Sequence, residues 1–401
     1  MSSSLLAGVK AVPRDPILGI TEAFAVDANP DKVNLGVGIY TDDAGKVPVL
    51  ECVRRAELKL AEQPLSRSYL PIDGLQPYDR AAQELLFGKD SKPAQSGRVV
   101  TVQTLGGTGG LKVGADFLRR IDPQAQVWIS DPSWENHAAV FEFAGFAVNS
   151  YPYYDAARHG LDFEAMAATL SKLAAGSIIV LHACCHNPTG VDLSGSQWQR
   201  IAQIIKQREL VPFLDIAYQG FADDLETDAY AVRLFAETCP AVFVASSFSK
   251  SLSLYGERIG TLSIVTENAE QAQRVLSQVK RVIRTNYSNP PTHGAQAAAM
   301  ILGTPELRDL WARELGQMRE RIKLMRHQLV EKIAELRPDL DFSFVIEQRG
   351  MFSYSGLTKP QVEKLRTGYG IYAVDSGRIC VAALNSRNID YVARAIASVA
   401  S

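Results

Sequence analysis

The sequence predicts an α/β fold, with a three-layer large domain around a mostly parallel central sheet and a smaller α/β domain beside it. Three observations carry this. Short runs rich in Val and Ile recur, polar or Gly residues bound them, and segments of helical period lie between them. The strand runs are Val127 to Ser130, Ile178 to His182, Phe213 to Ala217, Ala241 to Ser246 and Ile259 to Val265. Gln197 to Gln207 is one of the helical segments. From about Pro305 the character changes. A long helix carries Met318, Ile322, Met325, Leu329 and Ile333 on one face and crowds Lys and Arg on the other; Pro338 follows its end. Short strands are expected at Met351 to Tyr354 and Ile379 to Ala382. A chain of 401 residues exceeds what one core usually serves. We therefore expect a large domain over residues 45–310 and a small one built from residues 1–44 and 311–401.

Composition narrows the function. Hydrophobic residues make up 46% and charged residues 21%, as in soluble globular proteins. The formal net charge of -2 offers no basic excess, so neither a nucleic acid nor a membrane surface is an expected partner. No apolar run reaches the ~18–20 residues of a membrane span. Met1 to Pro16 lacks the basic and apolar stretches of a signal peptide. The odd, scattered set Cys52, Cys184, Cys185, Cys239 and Cys380 reads as free thiols in a reducing compartment. A cytoplasmic location is expected.

Taken along the chain, the first chemical motif is Leu105-Gly106-Gly107-Thr108-Gly109-Gly110, a turn ahead of a helix expected from near Leu111. Such turns offer backbone N–H groups to phosphate. A dinucleotide fingerprint fails, because its third glycine would fall at Lys112, and there is no Walker A pattern. A single phosphate or a plain turn both fit. His186-Asn187-Pro188-Thr189-Gly190 follows a strand and presents the Asn187 amide at the sheet edge, as an ordinary turn also would. His182, Cys184, Cys185 and His186 invite a zinc reading. Adjacent cysteines on a strand face opposite ways, and no second cysteine pair completes a structural site, so no metal is expected.

Asp215-Ile216-Ala217-Tyr218 ends another strand. An aspartate there suits a protonated pyridine nitrogen, and equally a helix cap. Ser246-Ser247-Phe248-Ser249-Lys250 ends a third strand, where ligand sites of parallel sheets gather. A lysine near a desolvated crevice becomes a nucleophilic amine, and the Ser247 and Ser249 hydroxyls suit a phosphate. A solvated lysine is the bland alternative. Arg258 lies eight residues after Lys250 and suits the same phosphate; Arg378, in a strand-like context, suits a carboxylate. Either arginine alone also reads as a surface salt bridge.

In this order, with Trp134 between the first two motifs, the set resembles class I, fold-type I pyridoxal 5'-phosphate (PLP) aminotransferases. The likeness is greatest to the aspartate and aromatic amino acid enzymes. It runs from Asp15-Pro16-Ile17-Leu18 to the last helix and includes Arg284-Thr285-Asn286-Tyr287-Ser288-Asn289-Pro290-Pro291. The resemblance implies roles. Lys250 looks like the lysine that anchors PLP as a Schiff base and shuttles the proton between Cα and C4′. Asp215 is similar to the partner of the pyridine nitrogen, Asn187 and Tyr218 to the pair on the ring oxygen, and Trp134 to the ring that stacks on the pyridine. Gly107, Thr108, Ser247, Ser249 and Arg258 resemble the phosphate cup. Gly38 and Arg378 resemble the contacts to the substrate α-carboxylate, together with Trp134 and Asn187. Tyr69 is similar to the tyrosine that reaches the neighbouring subunit's phosphate, and Arg284 to the cross-interface arginine for a side-chain carboxylate. A homodimer with shared sites follows from that likeness.

Arg284 implies a dicarboxylic substrate, so glutamate with 2-oxoglutarate, and aspartate, are expected. Ile39, Thr41, Val47 and Ser68 depart from aspartate-specific relatives, which tend to carry a lysine at the second and an asparagine at the last. Less charge there eases burial of an aromatic ring. Val102 to Gly107 and Gly350 to Tyr354 look more like bacterial tyrosine aminotransferases, whereas Thr108 and Asn289 match the aspartate pattern. Dual specificity is the expectation, with a strict aspartate aminotransferase as the alternative. Two rivals stay open: another fold-type I PLP reaction such as β-elimination or decarboxylation, and a non-catalytic protein that kept the fold.

Overall fold

The computed structural model describes residues 6–11, 18–63, 65–66 and 68–400. Asp15, Pro16 and Ile17, where the resemblance begins, lie outside them. The centre is a seven-stranded sheet. Its strands are β1 (Val99–Leu105), β2 (Gln126–Asp131), β3 (Ala147–Pro152), β4 (Ile178–His182), β5 (Val211–Ile216), β6 (Val242–Ser247) and β7 (Ile259–Val265). They lie in the order β1-β7-β6-β5-β4-β2-β3. β3, β2, β4, β5 and β6 run parallel, and only β7 runs antiparallel to both its neighbours. The expected runs are thus strands to within two residues. β1 and the edge strand β3 were not among them; the mixed burial along β3 hides the apolar signature that marks β4 to β7.

Every residue of β4, β6 and β7 is buried, because helices cover both faces of the sheet. Successive side chains feed two separate cores. Phe213 and Phe243 enter one; Leu214 and Val244 enter the other. This is the physical content of three layers.

Register decides where the motifs meet. His182, at the end of β4, pairs with Asp215 of β5, and Asp215 with Ala245 of β6. β7 returns so that Gly260 faces Ser247 and Ile259 faces Leu105. The segments leaving β4, β5, β6 and β1, and the one entering β7, therefore share one edge of the sheet.

One expectation is corrected here. The glycine-rich stretch is not a loop ahead of a helix at Leu111; it is the first turns of the helix Gly106–Ile121. Its glycines serve close packing. A Cβ on Gly110 would stand 2.8 Å from the Thr261 carbonyl oxygen, and one on Gly114 2.6 Å from the Phe213 ring. Gly114→Ala is expected to destabilise the fold by about 1–3 kcal/mol through overpacking, read as a lower denaturation midpoint at unchanged slope.

Beyond the sheet, the helix Pro305–Leu336 buries Met318, Ile322, Met325, Leu329 and Ile333, the stripe its period predicts. Next come β8 (Phe352–Tyr354) and β9 (Arg378–Cys380), paired antiparallel with Tyr354 opposite Arg378. The second of these strands ends earlier than expected, because Val381–Ala383 turns into a 3-10 helix. The N-terminal Val33–Asn34 pairs in parallel with Ile371–Tyr372.

Candidate active site

The shared strand edge opens on a cavity of about 240 Å³. At its floor lies Asp215, fixed by the end of β5. No helix begins there, so the capping alternative lapses. One Asp215 carboxylate oxygen is 2.9 Å from His137 Nε2, and His137 Nδ1 is 3.0 Å from the Ser133 hydroxyl. With Asp215 ionised, Nε2–H donates to the carboxylate and Nδ1 accepts from Ser133, which assigns the tautomer of a neutral ring. Burial pushes the Asp215 pKa up. The hydrogen bond from His137 and the charge of Lys250 act against it, and the carboxyl sits below its ordinary value. The ring of His182 packs 4.7 Å from that of His137; burial holds His182 well below the usual imidazole pKa, and its Nε2 has no partner.

Trp134 caps the helix Glu135–Phe143, one turn before His137, and its ring meets the His137 ring edge-on at 5.3 Å. Facing this wall, Lys250 Nζ lies 5.2 Å from the centroid of the Tyr218 ring. Burial lowers the Lys250 pKa and Asp215 raises it; with Arg258 and Arg378 adding to the lowering, the net direction is down. The Tyr218 phenol is pushed up by burial.

The opposite end of the cavity is built from donors. Arg258 donates to the Ser249 hydroxyl at 3.1 Å, and the Ser249 N–H to the Ser247 hydroxyl at 3.2 Å. Gly107 and Thr108 lie in the first turn of the helix Gly106–Ile121, where backbone N–H groups lack intrahelical acceptors. Gly106 has a φ of 67°, and a Cβ there would strike the Arg258 guanidinium. A side chain is excluded on both counts.

The mouth is formed by Arg378, 1% exposed, which donates to the Asn187 side-chain oxygen at 3.0 Å and to the Gly36 carbonyl at 2.7 Å. Its guanidinium lies 4.2 Å from the Phe352 ring centroid, its Nε has no partner, and a Cβ on Gly38 would stand 2.6 Å from that ring. Asn187 itself is 5% exposed.

Twelve of the predicted site residues therefore line one cavity. Tyr69 and Arg284 do not. Tyr69 is 92% exposed, and exposed Arg284 bonds Ser288 one turn on. Val47 and Ser68 are also exposed, and neither they nor Ile39 and Thr41 line the cavity. Sequence reasoning missed His137 and Phe352 as site residues and weighed His182 only as a zinc ligand. Helical spacing from Trp134 was the one available signal for His137; Phe352 had none beyond its neighbours.

The donor set tests what the cavity can hold. Among its lining residues Asp215 is the only acid; hydroxyls, helix N–H groups and Arg258 gather at the far end. A ligand with a cationic ring nitrogen at one end and a phosphate at the other fits this polarity.

Comparison with known proteins agrees. The profile of aminotransferase class I and II matches residues 30–396. An aspartate aminotransferase of Pseudomonas aeruginosa is 58% identical over 99% of this chain and 100% of its own length. The crystal structure of an aromatic-amino-acid aminotransferase from Burkholderia pseudomallei, covalently bound to pyridoxal phosphate, is 60% identical with a TM-score of 0.97 and full coverage of both chains. An aromatic aminotransferase from Psychrobacter sp. B6, cocrystallised with aspartic acid, is 46% identical with a TM-score of 0.96, covering 98% of this chain and 99% of its own. With a carboxylate floor, a buried lysine and a phosphate-shaped cup in one cavity, the chain belongs to the class I and II aminotransferases, and its cofactor is pyridoxal 5'-phosphate.

Proposed function

We propose that this protein transfers amino groups from both aromatic and dicarboxylic amino acids to 2-oxoglutarate in a ping-pong cycle, with Lys250 as cofactor anchor and proton shuttle. One observation carries the reading: Lys250, Asp215 and the donor cup line a single small cavity. PLP, when bound, supplies an electron sink that lets the substrate Cα–H bond ionise. Lys250 would hold it covalently through its Nζ amine. The Lys250 amine, its pKa lowered chiefly by burial, would take up the substrate Cα proton and give it back in the next step. Asp215, kept ionised by His137, holds the ring-nitrogen proton. Asn187 and Tyr218 orient the ring oxygen; Trp134 stacks on the ring; Gly107, Thr108, Ser247, Ser249 and Arg258 hold the phosphate. Arg378, beside Gly38, grips the α-carboxylate with its guanidinium fork.

The substrate range rests on relatives of both kinds, an aspartate enzyme and aromatic enzymes, one of them cocrystallised with aspartic acid. Two measurements test it. Glutamate added alone should convert the cofactor to its amine form, which β-elimination and decarboxylation do not do. Steady-state turnover of tyrosine, phenylalanine and aspartate should then agree within about tenfold, a difference of ~1.4 kcal/mol; a large tyrosine-to-aspartate ratio in either direction sinks dual specificity.

The proposal includes a homodimer in the cytoplasm. Each chain divides into a large domain (residues 45–310) and a small one (1–44 with 311–401); the pairing of Val33–Asn34 with Ile371–Tyr372 supports that division. Tyr69 and Arg284 are exposed and outside their own chain's cavity, as donors to a partner's site must be. Each dimer of Lys250→Ala with Arg284→Asp chains then contains one native site and one doubly defective site. Random mixing of the two inactive variants should restore about a quarter of native dicarboxylate activity. No recovery on mixing, with dimers formed, assigns Arg284 to another role.

A further inference from the structure

The two adjacent cysteines do not sit as a strand would place them. β4 ends at His182, and Cys185 has a φ of 52°, in the left-handed region. Period-two alternation therefore stops before Cys184, and the premise that the thiols face opposite ways fails. Instead, the ligand atoms of Cys184, Cys185 and Asp228, all three buried, lie within 4.8 Å of one another. Two thiolates sharing a tetrahedral ion at ~2.3 Å each stand roughly 3.8 Å apart, so small rotamer shifts close the set.

We propose that Cys184, Cys185 and Asp228 form a binding site for a thiophilic divalent cation of the zinc or cadmium type, separate from the cofactor cavity.

Three further features fit a cation here. A groove of about 1080 Å³, lined among others by Cys184, Asp192, Trp198, Asp223, Asp228 and Arg349, reaches two of the three ligands, Cys184 and Asp228, and leaves room for water as the fourth. Asp228 is already oriented: its carboxylate accepts backbone N–H groups from Gly220, Ala222 and Asp223 at 2.7, 3.0 and 3.0 Å. Outer partners of this kind fix a ligating carboxylate. Charge is partly balanced. Two thiolates, one carboxylate and a dication leave one negative charge; the buried Arg326 guanidinium offsets it at Cys185, while Asp192 adds a carboxylate beside both thiols. The site touches the catalytic machinery: Cys185 Sγ lies 3.9 Å from the carbonyl oxygen of Tyr218, and Asp192 accepts the backbone N–H groups of Cys185 and His186 just before Asn187.

Cadmium titration of the holoenzyme tests the site, because cadmium thiolates have an ultraviolet charge-transfer band that neither PLP binding nor turnover produces. The expected result is one cadmium per chain and a saturating band. Cys184→Ser and Cys185→Ser should each weaken binding at least about tenfold, while Cys52→Ser and Cys239→Ser, at isolated buried thiols, leave it unchanged. Asp228 also holds its own turn, so the two serine variants carry the test. No band, or a band that survives Cys184→Ser, overturns the proposal.

Discussion

Lys250→Ala should abolish multiple turnover, with kcat falling by more than about 10⁴. A positioned general base contributes typically 10²–10⁴ by itself, and here the covalent anchor is lost with it. The fold should survive. The lysine is desolvated beside Arg258 and Arg378, and alanine removes a cation that burial disfavours. The measurement is steady-state transamination of aspartate with 2-oxoglutarate, set beside the PLP content of the purified variant. Turnover within a hundredfold of the parent would show that another group carries the proton and would overturn the mechanism. Loss of turnover with PLP still bound is the expected pattern, because the cup of Ser247, Ser249, Arg258 and the helix N-terminus is untouched.

The second large effect is expected from Asp215→Asn. Asparagine keeps the shape and still accepts the His137 N–H, so the 2.9 Å contact has an isosteric replacement. What disappears is a buried negative charge opposite a ring nitrogen that carries a proton. Breaking one side of a buried charge pair costs about 3–5 kcal/mol, on the order of 10²- to 10⁴-fold in kcat. The pH dependence has a definite sign. The folded-state pKa of Asp215 is lowered, so the carboxylate is ionised throughout the neutral range. Its stabilising contribution is present above the ordinary aspartate pKa and is lost as pH falls through the lowered value. The parent kcat should therefore show no Asp215 titration between about pH 5 and 8, and the loss in the variant should be uniform across that window. A variant deficit that vanishes at low pH would point to a different role for this carboxylate.

Much of this was legible in order along the chain. The apolar runs that became β4 to β7 are buried on both faces, and such strands announce themselves. The edge strand β3 is half polar and did not. The glycines from Gly106 to Gly110 read as a flexible turn because glycine usually marks one; only the sheet beneath them explains glycine inside a helix. The residues of the cavity were named through a resemblance that weighs many motifs together. Each motif alone had an equally good bland explanation.

By itself, the sequence determined the buried strands β4 to β7 and the long C-terminal helix, which residue types end those strands, and the family to which their order points. Those are local properties: period, propensity and turn chemistry act over a few residues. The tertiary structure alone decided which of these residues touch. His137 meets Asp215 across 78 residues and Arg378 meets Asn187 across 191, because β2, β4 and β5 lie parallel with their ends on one edge, and the pairing of β9 with β8 carries Arg378 to it. It also turned Cys185 out of the strand pattern, which placed two thiols beside Asp228 where alternation alone would have separated them.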